Sequence, residues 1–173
     1  MREYPISFSA EMVQAILNNK KSETRRIPTA MWRKVEVGDR LWVKELFQKC
    51  SCAICRQYWP KKPPLSEEGR IHYPTYEASH HGPSGLVWTS SRFMPRWTSR
   101  ITLEVASKRI ERLRNITENS AWAEGFKSRA NFGIYWDILS YKRGYGWDTN
   151  PEVIVFTFKR IEAERKDKCL TLP

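Results

Sequence analysis

The run Val153-Ile154-Val155-Phe156-Thr157-Phe158 limits the fold more than any other segment of this chain. β-Branched and aromatic residues follow one another here, entered from the turn formers Asn150-Pro151, and that composition reads as a strand. A strand needs neighbours, and the other periodic segments supply them. Ser99-Arg100-Ile101-Thr102-Leu103-Glu104-Val105 alternates as a half-buried strand and is read onward through Ile110 and Leu113. Pro5-Ile6-Ser7-Phe8 gives a short strand. Val35 to Val43 gives another, with Gly38-Asp39 as its turn.

Helical spacing occurs three times. Ser9 is placed to cap a first helix carrying Met12, Val13, Ile16 and Leu17, which Asn18-Asn19 can end in a left-handed stop. Thr117 caps a short helix running to about Gly125, with Glu118 in its first turn. A further helix near Asn131 to Tyr141 is expected to bury Phe132, Tyr135, Trp136 and Leu139. Trp42 and Trp122 are expected to be buried as well. The order is strand, helix, strands, an irregular stretch, strand, two helices, strand. That order excludes alternating βαβ units and predicts an α+β fold: a small mixed β-barrel with flanking helices. Residues 1–165 form one domain on this reading, and 166–173 a flexible tail.

The irregular stretch, 48–92, interrupts the domain as a Cys/His/Pro-rich insertion. Five of the ten prolines fall in 60–83, and the insertion holds all three histidines and three of the four cysteines. Cys50, Cys52 and Cys55 are spaced to wrap one side of a tetrahedral zinc, with His72, His80 or His81 completing it. His72 is taken as the fourth ligand of a structural zinc, the only cofactor expected. The other reading is three reduced thiols in a loop.

Charge narrows the partners. The chain carries a net +11, with a surplus of +3 over 1–47, +3 over 48–92 and +5 beyond. An excess spread over a whole domain suits a surface that tracks phosphates, although it also serves solubility. Thirteen per cent aromatic residues adds rings on which bases can stack. The N-terminus has no apolar signal segment and no run is long enough for a membrane span, so a cytoplasmic protein without membrane contact is expected. It is taken as a monomer.

Lys20, Lys21, Arg25 and Arg26 crowd the polar loop expected after the first helix, with Ser22, Glu23 and Thr24 between them. Like charges this close repel, so an anion or a proton-transfer task best accounts for them. Lys20, Arg25 and Arg26 are candidate ligand-binding residues, as are Arg96 and Trp97, a guanidinium and a ring for base stacking.

The helix followed by Lys21-x-x-Thr24-x-Arg26, the Gly38-Asp39 turn, Thr117-Glu118 opening a helix that leads to Glu124, and the apolar closing strand together resemble the ASCH domains of the PUA-like superfamily. Phe93-Met94-Pro95-Arg96-Trp97 and Trp147-Asp148-x-Asn150-Pro151 look like phage and prophage members. The resemblance implies a small RNA-associated β-barrel. Some members deacetylate N4-acetylcytidine and others cleave RNA. The deacetylase pattern would place its lysine, threonine and glutamate on Lys21, Thr24 and Glu124, although this chain has Arg25 where those enzymes tend to be apolar. Chemistry of that kind needs Lys21 lowered from its usual value so that it can take the Thr24 proton. Glu124 would then relay the proton and Arg26 would steady negative charge. In the plainer reading Lys21 and Arg26 hold phosphates and Glu124 is their ion-pair partner. RNA or nucleotide binding is therefore the expected function. Hydrolysis of an acylated nucleoside or of RNA is the alternative, and a phage accessory role, binding a host protein through the insertion, is the third.

Overall fold

The computed structural model describes residues 1–49, 53–61, 74–80 and 87–161, with the backbone alone at 54 and 55. In chain order the elements are β1 (Glu3–Ser7), α1 (Ala10–Leu17), β2 (Glu23–Arg26), α2 (Ala30–Lys34), β3 (Arg40–Lys44), β4 (Phe47–Gln48), α3 (Ala53–Tyr58), β5 (Thr75–Tyr76), β6 (Thr102–Arg112), α4 (Glu118–Ala123), α5 (Arg129–Ser140) and β7 (Glu152–Ile161). Five strands form one mixed sheet in the order β1-β3-β6-β7-β2, and β4 pairs with β5. β1 and β3 run parallel, while the other neighbours in the sheet are antiparallel.

β7 shows why its sequence is apolar at successive positions. Ile154, Phe156 and Phe158 enter one core, shared with Phe8, Met12, Val13, Ile16 and Trp32. Val153 and Val155 enter a second core with Leu113, Ala121, Phe132 and Trp136. Both faces of the strand are covered, so neither can be polar. α1 and α2 cover one side of the sheet, and α4 and α5 the other.

β6 changes face partway along. A bulge between Val105 and Ser107 shifts its register against β7. Leu103 and Val105 face the first core, but beyond the bulge Arg109 and Glu111 sit beside Val155 and Val153, on the second. One extra residue reverses the alternation. The strand does continue through Ile110, which the reversal leaves largely exposed.

Other expectations need correction. The cationic loop is partly a buried strand, β2. The strand expected within Val35 to Val43 is entered through the Gly38-Asp39 turn as read, with Gly38 at φ +86° and pairing from Arg40, so Val35 to Val37 lie outside it. Trp122 is 56% exposed, its indole N–H spent on the Lys127 carbonyl. Leu139 is also exposed, since the buried side of α5 is occupied by Phe132, Gly133, Trp136 and Ser140. Ser9 holds the N-cap position of α1, but its hydroxyl makes no capping bond.

Candidate anion-binding site

Local backbone features bring Lys21 to Glu124. Asn19 ends α1 in the left-handed region at φ 56°, and the Lys20 and Lys21 amides donate back to the Ala15 carbonyl. The Ser22 amide then donates to the Ala123 carbonyl at 2.8 Å, tying the segment to the end of α4. Gly125, at φ +91°, lets the chains approach. A Cβ there would stand 3.2 Å from the Ala15 Cβ and 3.5 Å from that of Lys21.

The Lys21 ammonium donates three hydrogen bonds: to the Glu23 carbonyl at 2.8 Å, the Glu124 carbonyl at 2.8 Å and Glu124 Oε2 at 2.6 Å. An ammonium has three donors, and all three are used. Burial pulls Lys21 below its ordinary value, with the Glu124 carboxylate opposing that shift.

Lys21 belongs to a larger buried network. Arg25 donates to Glu111 Oε1 through Nε (3.1 Å) and Nη2 (2.8 Å), and to Glu124 Oε1 through Nη1 (3.3 Å). Its Nη1 also lies 2.7 Å from Glu23 Oε1, an ion pair whose alignment falls short of a hydrogen bond. Arg109 completes the set, reaching Glu23 Oε2 at 3.0 Å and Glu111 Oε2 at 3.1 Å. Three cations face three carboxylates, so the network is balanced. Glu23, Arg109 and Glu111 were not among the sequence candidates. Glu23 lies within the cationic segment from Lys20 to Arg26, and the bulge hid the other two.

Arg26 stands apart. Consecutive strand residues point to opposite faces, so Arg25 joins the network while Arg26 turns to the first core. Its guanidinium lies 5.1 Å from the Phe8 ring centre and 5.9 Å from that of Trp32. Nη1 donates to Thr24 Oγ1 and to the Arg25 carbonyl, each at 2.9 Å, and Nη2 to the Ser7 carbonyl at 3.2 Å. Among the described residues no carboxylate lies within ion-pair distance of it. Burial lowers Arg26 from its ordinary value, yet a guanidinium begins so high that it keeps its charge. Thr24 is wholly buried beside it.

The remaining candidates lie elsewhere. Lys20 is exposed at the end of α1. Next to it a groove of about 340 Å³ is lined by Asn19, Lys21, Ser22, Lys159 and Arg160 among others. Arg96 is paired with Glu3 at 2.8 Å on β1, at the opposite edge of the sheet from β2. The Trp97 indole donates to the Pro60 carbonyl at 2.7 Å and meets Trp59 edge-on. Cys50, Cys52, His72 and the side chain of Cys55 lie outside the described residues. Among the described residues no group of three or more His, Cys, Asp or Glu is arranged to hold a metal. No described helix is long and apolar enough to cross a membrane.

No family model and no curated protein matches the chain in sequence. Among solved structures, the fold is similar to that of an Enterococcus faecalis protein of the family DUF984. The TM-score is 0.51 at 7% identity, over 94% of this chain and 82% of that one. An ASCH domain from Lactobacillus crispatus matches with a TM-score of 0.48 at 12% identity, over 92% of this chain and 79% of that one. The hypothetical protein PH0355 matches with 0.48 at 12% identity, over 93% and 100%. At these identities the likeness is one of fold.

Proposed function

We propose that the protein binds RNA or a nucleotide-derived ligand, with Arg26 seating a phosphate. The observation that carries this reading is the contrast within the cluster. Lys21, Arg25 and Arg109 are matched by Glu23, Glu111 and Glu124, and among the described residues no carboxylate comes within ion-pair distance of Arg26. Arg26 is half-buried as a residue, and its ring-flanked guanidinium is of the chemical type that contacts phosphate. Exposed Lys20 and the groove beside Lys159 and Arg160 extend the positive surface. The PUA-like barrel reading uses the same residue, since Arg26 on one edge strand reaches Ser7 on the other.

The test is a fluorescence-anisotropy titration with short single-stranded RNA at several salt concentrations. Affinity should fall as salt rises, because phosphate contacts release counterions. Arg26→Ala should weaken it about tenfold or more, the loss of a charge-assisted bond of roughly 1.5–3 kcal/mol. Binding indifferent to salt, or to Arg26→Ala, would remove the proposal.

The amidohydrolase reading draws on the Lys21–Glu124 contact and on Thr24 being polarised by Arg26. For Lys21 to act as a base it must surrender a proton that now holds one of three acceptors. Incubation of the parent protein with N4-acetylcytidine decides it: no cytidine released, no amidohydrolase. Ribonuclease action is checked by the integrity of the RNA in the titration above. The accessory-protein reading of phage type rests on the insertion, of which residues 50–52, 62–73 and 81–86 lie outside the described residues.

A further inference from the structure

α5 is apolar on two sides, and only one has a partner among the described residues. Phe132 and Trp136 are buried in the second core. On the other side Ile134, Ile138 and Tyr141 are 66%, 74% and 72% exposed. Steps of four and three place them on one stripe. A surface helix ordinarily turns polar residues to water, and exposed isoleucines add neither solubility nor helix propensity. A contiguous apolar stripe of this kind marks an interaction surface. Tyr141 is also set in place. A Cβ on Gly146 would stand 3.0 Å from its ring, so the ring packs against bare backbone. An anchor already ordered in the free protein lowers the entropy cost of binding.

Charge selects the occupant. From Lys127 to Arg143 the chain carries four cations and one acid. That acid, Asp137, already accepts from the Trp147 amide at 2.6 Å. A second copy fits poorly. Two-fold antiparallel pairing centred between Ile134 and Ile138 would lay Arg129 of each helix against Arg143 of the other. We propose that this face docks an amphipathic helix of another protein, laid along Ile134, Ile138 and Tyr141, with acidic residues flanking its apolar stripe.

The experiment is anisotropy of a labelled synthetic amphipathic peptide, its leucine stripe flanked by glutamates, titrated with the full chain; a lysine-flanked twin is the control. The glutamate peptide should bind, more weakly as salt rises, and the twin should not. Ile134→Ser and Ile138→Ser should each weaken binding about tenfold, the loss of an anchor. Their melting temperatures should stay unchanged, since both side chains project into water. Failure of the glutamate peptide to bind, or equal binding by the twin or the variants, would overturn the proposal. A concentration-dependent dimer abolished by Ile138→Ser would give the face to a second copy, and RNA affinity lost in that variant would give it to nucleic acid.

Discussion

Replacing Lys21 and Glu124 singly and together tests whether the buried charges act as a unit. Their side chains are 2% and 4% exposed and meet at 2.6 Å. Removing one member of a buried pair leaves the other uncompensated, at a cost of about 3–5 kcal/mol. Lys21→Met should fall near the lower end, because Glu124 keeps Arg25 at 3.3 Å. Glu124→Leu should fall near the upper end, because Lys21 then has only carbonyls to face. The double variant removes both charges and leaves mainly two carbonyls without their donor, a loss of about 2 kcal/mol. In a chain of this length each kcal/mol moves Tm by roughly 2–4 °C, so the single variants should melt about 10 °C lower. Urea denaturation followed by tryptophan fluorescence measures all three. Independent sites add within about 0.5 kcal/mol, and here the double variant should lose at least 2 kcal/mol less than the sum of the singles. Additivity, or a Lys21→Met cost below about 1 kcal/mol, would refute the coupled network. The same variant isolates a pH effect. Burial places the folded Lys21 below its ordinary 10.5, so just beneath that value the unfolded chain binds the proton more tightly. Stability contributed by this lysine should therefore rise with pH across that window in the parent and not in Lys21→Met.

Further outcomes follow from other parts of the fold. Asp39 accepts the Arg2 amide at 2.7 Å and the Glu36 amide at 3.1 Å, and the Arg2 bond leads in holding its carboxyl below 3.8. Asp39→Asn should cost about 2 kcal/mol at neutral pH. That difference should be full above 3.8 and close as pH falls through the folded value, as read from melting curves of both proteins. Gly38→Ala meets open space and should cost only the left-handed strain of about 1–2 kcal/mol. Gly125→Ala also crowds Ala15 and Lys21, and should lose measurably more in the same urea titration. Arg100→Met strands the buried Glu45 carboxylate, which Arg100 now grips at 2.9 Å through both Nε and Nη2. A loss of about 3–5 kcal/mol is expected, with faster proteolysis near Ser79, whose hydroxyl Arg100 also holds.

Those parts of the fold that rest on uninterrupted periodicity were legible in the sequence. The β7 run, the alternation through Val105 and the caps at Thr117 and Asn19 each depend on residues within a few positions of one another. α2 escaped because five residues are too few to show a period, although Thr29 does accept from the Trp32 amide. The β6 bulge escaped because nothing in Val105-Ala106-Ser107 announces it, and it decides which face Arg109 and Glu111 occupy. Apolar residues were read as core on α5, yet the helix has more of them than one buried side can take. Composition shows that a residue prefers burial, and topology decides whether a neighbour is there to bury it.

The cation cluster shows the same division within four residues. Read as a loop, Lys20 to Arg26 is one pool of positive charge. As a strand it is sorted by alternation: Glu23 and Arg25 to one face, Thr24 and Arg26 to the other. On the first face the carboxylates lie within reach, because β6 has been slipped by one residue to bring Glu111 across. On the second face the groups that touch Arg26 are Phe8, Trp32, a hydroxyl and backbone carbonyls, which orient the guanidinium, and the Glu124 carboxylate acts on it only from beyond ion-pair distance. A partly buried charge left in that state is stabilised by any anion that reaches it, and its fixed geometry removes much of the ordering cost that a free surface arginine would meet. The matched network beneath it is why the proposed anion contact falls to Arg26. Its neighbours Lys21 and Arg25, although equally cationic in sequence, have no charge to spare.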